Sequence, residues 1–373
     1  MRAPDGPGCP LPPPRPPGVP GLGGDPVPRV PDDPDILRVM GPAATPSPAR
    51  LPFELQPRTL YVTGKGGVGK TTVAAATALT FAAAGCRTLL VEIAGHDGAA
   101  ALISDRGIGY EPTTIAQSLQ ALRIDPDNAL REYARMHLKV KVVADRLVGN
   151  PVVRQFAEVA PGFDDVLVLG KVWKLARHGD GDGERWDAIV VDAPATGHGV
   201  GLLTMVSALA RAMPVGLIAN QAREIHGFVR DPDRFGAILV TLPEELPVTE
   251  TLDLHEVLST EDIEVAAVVA NAVLAQRFSD AEAGLLRELT EGAPDGVLGS
   301  AVGAASSELE RRERQLEELA RLGSTVGPMA QLPFLFADAV GRSELRVLER
   351  AARGQRPTAA ASFGAAAGRG SRT

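Results

Sequence analysis

The sequence predicts an α/β fold built on a parallel, doubly wound sheet, and three observations carry that prediction. Short apolar runs of strand length alternate with longer segments of helical period. Those runs are apolar at nearly every position rather than at every second one, the pattern of strands covered on both faces. The apolar fraction is 45% of 373 residues while aromatics are only 4%, so a large core is available and must be aliphatic and alanine-rich.

Residues 1–57 hold 18 of the 31 prolines. Proline removes backbone donors and this stretch has little to bury, so it is expected to be a disordered Pro/Gly-rich tail. Strands are expected at Thr59–Thr63, Thr88–Ile93, Trp186–Val191, Gly236–Val240 and Val265–Ala270, with an alanine-rich helix over Val73–Ala84. Mainly helical text at 126–178 and 199–230 interrupts this rhythm and predicts a helical subdomain beside the sheet. The folded domain is expected over 58–353, followed by an Ala/Gly/Ser-rich flexible tail at 354–373. Late in the chain, Ser307 and Glu310 have the spacing of a capping box, which predicts a helix start there. Glu308/Arg312, Glu310/Arg314 and Glu317/Arg321 are i,i+4 pairs in the favourable order, and that helix reads as a solvated face.

Charge and cysteine content exclude several functions. The 38 basic and 46 acidic residues give a net charge of −8, and no stretch gathers Lys and Arg without intervening acids. Nucleic-acid binding is therefore not expected. No apolar run reaches the roughly 18 residues that would span a bilayer, so stable membrane insertion is not expected either. Two cysteines without a C-x-x-C exclude a disulfide framework and a cysteine-ligated zinc site, and point to the cytoplasm.

The segment that carries chemistry is Gly64-Lys65-Gly66-Gly67-Val68-Gly69-Lys70-Thr71-Thr72, between an expected strand and an expected helix. Glycines let successive N–H groups converge on one anion, and the helix N-terminus adds partial positive charge at the same point. This is a phosphate-binding loop, which makes the fold a P-loop NTPase. Lys70 is placed to reach the β- and γ-phosphates of ATP and the Thr71 hydroxyl to ligate Mg²⁺. The chain has only six lysines against thirty-two arginines, yet two of the six fall in this loop. A compact ammonium fits among phosphates where a planar guanidinium does not. A second segment, Ala188-Ile189-Val190-Val191-Asp192-Ala193-Pro194-Ala195-Thr196-Gly197-His198, ends an apolar strand in an acid that can hold a water on Mg²⁺.

Lys65 resembles the signature lysine of deviant Walker A ATPases, the class of the ParA/MinD-type partition proteins and the nitrogenase iron protein. Asp192 to His198 resembles switch II of one branch, the arsenite-pump (ArsA) and tail-anchored-protein targeting ATPases. Further text similar to that branch follows over about 58–350: Pro161-Gly162-Phe163-Asp164-Asp165, Thr241-Leu242-Pro243-Glu244, Val268-Val269-Ala270-Asn271, and Leu332-Pro333-Phe334 with Gly341 and Leu345. The resemblance implies ATP and Mg²⁺ as cofactors. It implies that Gly64 to Thr72 bind phosphate, that Thr71 and Asp192 hold the metal, that Asn271 reads adenine and that Pro333 also binds ATP. Lys65, Lys70 and Asp192 are the implied catalytic groups, Lys65 reaching across a homodimer or a heterodimer with a paralogue. A protein client is a possible further partner, on an apolar face formed by Leu202, Leu203, Met205, Val206, Leu209, Met213 and Leu217. One departure bears on hydrolysis: Ala94 stands where the family's switch I has an acid, with Glu92 and Asp97 flanking it. That leaves a nucleotide-binding regulatory subunit with little turnover as the alternative. The arsenite-binding cysteines and the C-x-x-C zinc clamp are absent.

Overall fold

A computed structural model describes residues 58–93, 98–137, 163–179, 185–194, 198–212, 217–292 and 296–352. Eight strands form one sheet: β1 (Thr59–Thr63), β2 (Thr88–Ile93), β3 (Thr113–Ala116), β4 (Leu119–Ile124), β5 (Ala188–Asp192), β6 (Phe235–Thr241), β7 (Val265–Val273) and β8 (Ala330–Pro333). Their order is β3-β4-β2-β5-β1-β6-β7-β8. Every pair is parallel except β3 with β4 at one edge.

The helices are α1 (Lys70–Ala83), α2 (Ala99–Ile103), α3 (Pro126–His137), α4 (Phe163–His178), α5 (His198–Ala212), α6 (Leu217–Val229), α7 (Glu245–Thr260), α8 (Asp280–Glu291), α9 (Gly296–Val326) and α10 (Arg342–Ala352). Strand alternation sends side chains to two cores. Tyr61, Leu89 and Val91 face one with α3 to α7, while Leu60, Val62 and Leu90 face the other with α1, α2 and α10. Both faces are covered, as the unbroken apolar runs require. Five of the six alanines of α1 are buried against the sheet and α10, where small side chains let the helix approach closely.

The five strands expected from the sequence all form, with β1 and β2 at the expected bounds. Three short strands are additional, and two of them, β3 and β8, are edges of four residues each. The four helices α3 to α6 occupy the two expected helical stretches, and residues 138–162 between α3 and α4 lie outside the described residues.

The expected helix start at Ser307 is corrected. Ser307 lies inside the 31-residue α9, with its hydroxyl donating to the Gly303 carbonyl, the back-bonding open to any mid-helix serine. The capping box that forms is Ser279 with Glu282, at the start of α8. Of the three expected i,i+4 pairs, Glu310–Arg314 is present at 3.9 Å. Glu308 turns instead to Arg277 at 3.0 Å and Arg321 to Glu318 at 3.0 Å, because α9 packs against α7 and α8 rather than standing in water.

Candidate functional site

The site lies at the carboxyl ends of the central parallel strands, where β1 runs into the glycine loop and α1 begins. Two glycines are fixed by their neighbours. At Gly64, φ is +149° and a Cβ would stand 2.3 Å from the Val240 carbonyl oxygen of β6. Gly69, with φ +89°, is the left-handed N-cap of α1, and a Cβ there would come within 2.3 Å of Asn271 Nδ2. Across the loop, Lys65, Gly66 and Gly67 are exposed while Val68 is buried. A Cβ on Gly66 or Gly67 would meet nothing within 4 Å, so these two positions face open space.

Lys70 is buried to 5% exposure, and its ammonium donates to the Lys65 carbonyl at 2.8 Å, spanning the mouth of the loop. Burial lowers its pKa and the charge of Asp192 opposes that shift. Asp192 ends β5 in register with Val62 of β1 and Glu92 of β2. Burial pushes its carboxyl up to about 6, Glu92 adds to the rise, and bonds from the Thr71 hydroxyl and the Ala99 N–H, with the charge of Lys70, hold it back. One oxygen, Oδ1, is buried with no hydrogen-bond partner. An orphaned carboxylate oxygen next to a threonine hydroxyl is a donor set that fits Mg²⁺. These two residues would hold the metal, whose chemistry there is to neutralise phosphate charge.

Glu92 has another task. Its Oε2 accepts from Arg123 Nε and Nη2 at 3.1 and 2.9 Å, and its Oε1 accepts the Ala100 N–H of α2 at 2.8 Å. Arg123 is its register partner on β4, so a row of charges runs across three strands into Asp192. Ala94 and Asp97, the other switch I positions, lie outside the described residues, as do Ala195 to Gly197 of the switch II text.

Lys65 is half exposed and pairs with Glu250 of α7. Thr72 follows in the first turn of α1, partly buried. Asn271, near the end of β7, donates from Nδ2 to the Val68 carbonyl at 2.9 Å, which ties the sheet to the loop 203 residues away. Pro333 ends β8 in register with Val273, beside that same strand end. The structure thus gathers Gly64 to Thr72, Asp192 and Asn271 around one loop, with Pro333 on the flank. Sequence reasoning missed Glu250 and Arg123, whose only signal is opposite charge at long separation.

Of the seven residues expected to form an apolar client face, the side chains of four are described. Leu202, Leu203 and Val206 are in the core that α5 shares with α4 and α6, and Met205 is half-buried. The side chains of Leu209, Met213 and Leu217 lie outside the described residues. Among the described residues, no helix is long and apolar enough to cross a membrane.

A glycine loop capped by a lysine, with a strand-end aspartate at its threonine, defines a nucleotide-binding protein of the P-loop kind. Comparison with known proteins narrows this. Residues 57–223 match the family described as anion-transporting ATPase. ATPase BagA of Mycobacterium tuberculosis is 35% identical over 220 residues, covering 57% of this chain and 64% of the relative. An uncharacterized protein of Streptomyces coelicolor is 31% identical over 288 residues, covering 74% of this chain and 67% of the relative. ATPase GET3 of Kluyveromyces lactis is 24% identical over 261 residues, 60% and 74% of the two chains. The chain spans less than two thirds of the mycobacterial relative's length, and it belongs to the anion-transporting (ArsA-type) ATPase family.

Proposed function

We propose that the chain is a cytoplasmic Mg-ATP-hydrolysing switch that closes as a dimer and thereby alters a helical surface offered to a protein partner. The observation that supports it best is the convergence of Lys70, Thr71 and the orphaned oxygen of Asp192 at the N-terminus of α1. In this reading Gly64 to Thr72 bind the phosphates, Thr71 and Asp192 hold Mg²⁺, Asn271 reads adenine and Pro333 lies against the nucleotide. Lys65 leaves Glu250 to complete the neighbouring protomer's site. Lys70→Ala removes a charge-assisted contact, so Mg-ATP affinity is expected to fall at least about tenfold in calorimetry. Equal affinity in the two proteins would sink the assignment.

A second reading rests on Glu92. Both of its oxygens are engaged by Arg123 and Ala100, so it is not free to orient a water. Ala94 has no atom for that work. This favours a nucleotide-binding subunit that hydrolyses slowly by itself and pairs with a paralogue. Turnover of the isolated chain and of Ala94→Asp separates the two: brisk wild-type turnover rejects the second reading, and a gain in Ala94→Asp supports it.

A further inference from the structure

We infer that Gln315, on the helix the sequence marks only as a solvated face, is a positioning residue of the nucleotide site and acts through Asn271. The inference rests on the nucleotide-binding reading above. Gln315 is 3% exposed. Its Oε1 accepts the Leu274 N–H at 2.9 Å and its Nε2 donates to the Ala272 carbonyl at 3.3 Å, so one side-chain amide grips both flanks of Val273. Val273 is held from the opposite side, where its carbonyl accepts the Phe334 N–H at 2.8 Å.

The gripped segment is one that needs holding. Ala272 has φ +58°, a left-handed conformation rare outside glycine, and the β7–β8 register shifts between Ala270 and Val273. A backbone bent in this way relaxes unless its surroundings fix it. Asn271 is the residue immediately before the bend. Its Nδ2 bonds the Val68 carbonyl, and the same nitrogen lies where a side chain on Gly69 would begin. Gln315, the left-handed Ala272, Asn271 and the phosphate loop therefore form one chain of contacts ending at the first turn of α1.

Glutamine is the side chain this geometry selects. The grip needs a donor and an acceptor at one terminus, four bonds from the helix backbone; asparagine is shorter, ionised glutamate has only acceptors, and methionine has neither. A second contact from the same helix reaches the other end of the loop. Arg321 Nη2 donates to the Glu245 carbonyl and to Thr249 Oγ1 of α7, next to the Glu250 that holds Lys65.

A purely structural glutamine would lower stability and leave nucleotide affinity alone, which a double-mutant cycle resolves. Mg-ATP is titrated by calorimetry, well below each protein's melting temperature, into wild type, Gln315→Met, Asn271→Ala, the double variant and Lys70→Ala. We expect Gln315→Met to weaken binding about fivefold in the wild-type background and by less than about twofold in Asn271→Ala, the non-additivity of residues acting as one unit. Wild-type affinity in Gln315→Met, or losses that multiply in the double variant, overturns the inference. Unchanged affinity in Asn271→Ala together with a loss in Lys70→Ala also overturns it while leaving the phosphate loop assigned. Unchanged affinity in Lys70→Ala removes the nucleotide reading itself. Should Gln315→Met fail to fold, Gln315→Glu keeps the acceptor for Leu274 and loses the donor. It is then expected to show a smaller loss that again disappears in the Asn271→Ala background, and a loss that persists there overturns the inference.

Discussion

Asp192→Asn separates what the site needs from what the fold tolerates. Burial raises the carboxyl from 3.8 to about 6, and at 1.36 kcal/mol for each tenfold change in proton affinity the ionised form costs the metal-free protein up to about 3 kcal/mol. The sign follows from linkage. An acid whose folded pKa lies above its unfolded value binds more protons when folded, so the metal-free protein loses stability as pH rises from about 4 through about 6. Asparagine carries no charge, and its carbonyl still accepts from the Thr71 hydroxyl and the Ala99 N–H. Above pH 7 the metal-free variant should therefore be more stable than wild type by about 1–3 kcal/mol, read as a melting temperature several degrees higher by scanning calorimetry. Near pH 4 the advantage should vanish, because wild type is then protonated too. Mg²⁺-dependent tightening of ATP binding should be lost in the same variant. A variant no more stable than wild type at pH 7.5, or one with the wild-type slope between pH 4 and 7, would show that the Asp192 charge is solvated or compensated and the reasoning wrong.

Other expectations concern the surroundings of the site. Gly64→Ala places a Cβ 2.3 Å from a β6 carbonyl at a positive φ, so loss of soluble folded protein or a melting drop worth at least about 2 kcal/mol is expected, measured by thermal denaturation. Glu132 is held down to about 2: burial opposes its ionisation, and bonds from Lys171, Lys174 and Tyr110 overcome that. A depressed acid stabilises above its unfolded pKa and loses that contribution as pH falls, here from about 4.5 toward 2; Glu132→Gln should remove this acid-limb slope and cost about 3 kcal/mol at pH 7 by leaving the nearly buried Lys171 without its carboxylate. Ser279→Ala should cost about 1 kcal/mol as a lost N-cap and Ser307→Ala less than about 0.5, a comparison that chemical denaturation decides.

The legible part of the molecule was the part whose physics is local. β1 is an apolar run and β2 is one broken only by Glu92; the phosphate loop and Asp192 sit in text whose order reports their chemistry, while Asn271 stands out only through the family resemblance. β4 reads Leu, Gln, Ala, Leu, Arg, Ile, neither an unbroken apolar run nor a strict alternation, and takes its place from pairing with β2, a partner the sequence does not name. β8 is four residues ending in proline, too short to stand out before β7 is in place. Ser307 and Ser279 carry the same capping spacing, and only the second follows a loop; the first continues a helix begun at Gly296. Gln315, Arg123 and Glu250 were illegible because their partners are separated by tens to nearly two hundred residues. A polar residue amid polar helix text gives no sign that its own side chain is buried.

The long helix α9 has unequal ends. Gln315, Leu319 and Leu322 seat its C-terminal half and Val302 its N-terminal half, while Val297 and Leu298 in the first turn are 89% and 61% exposed. At about 1.5 Å per residue, Leu298 stands roughly 25 Å along the axis from Gln315. Val302 is buried between them, so only the first turn, about 6 Å of axis, stands clear as an apolar tip. A load on that short tip is taken up at Val302 and against α8 before it reaches the Asn271 bend.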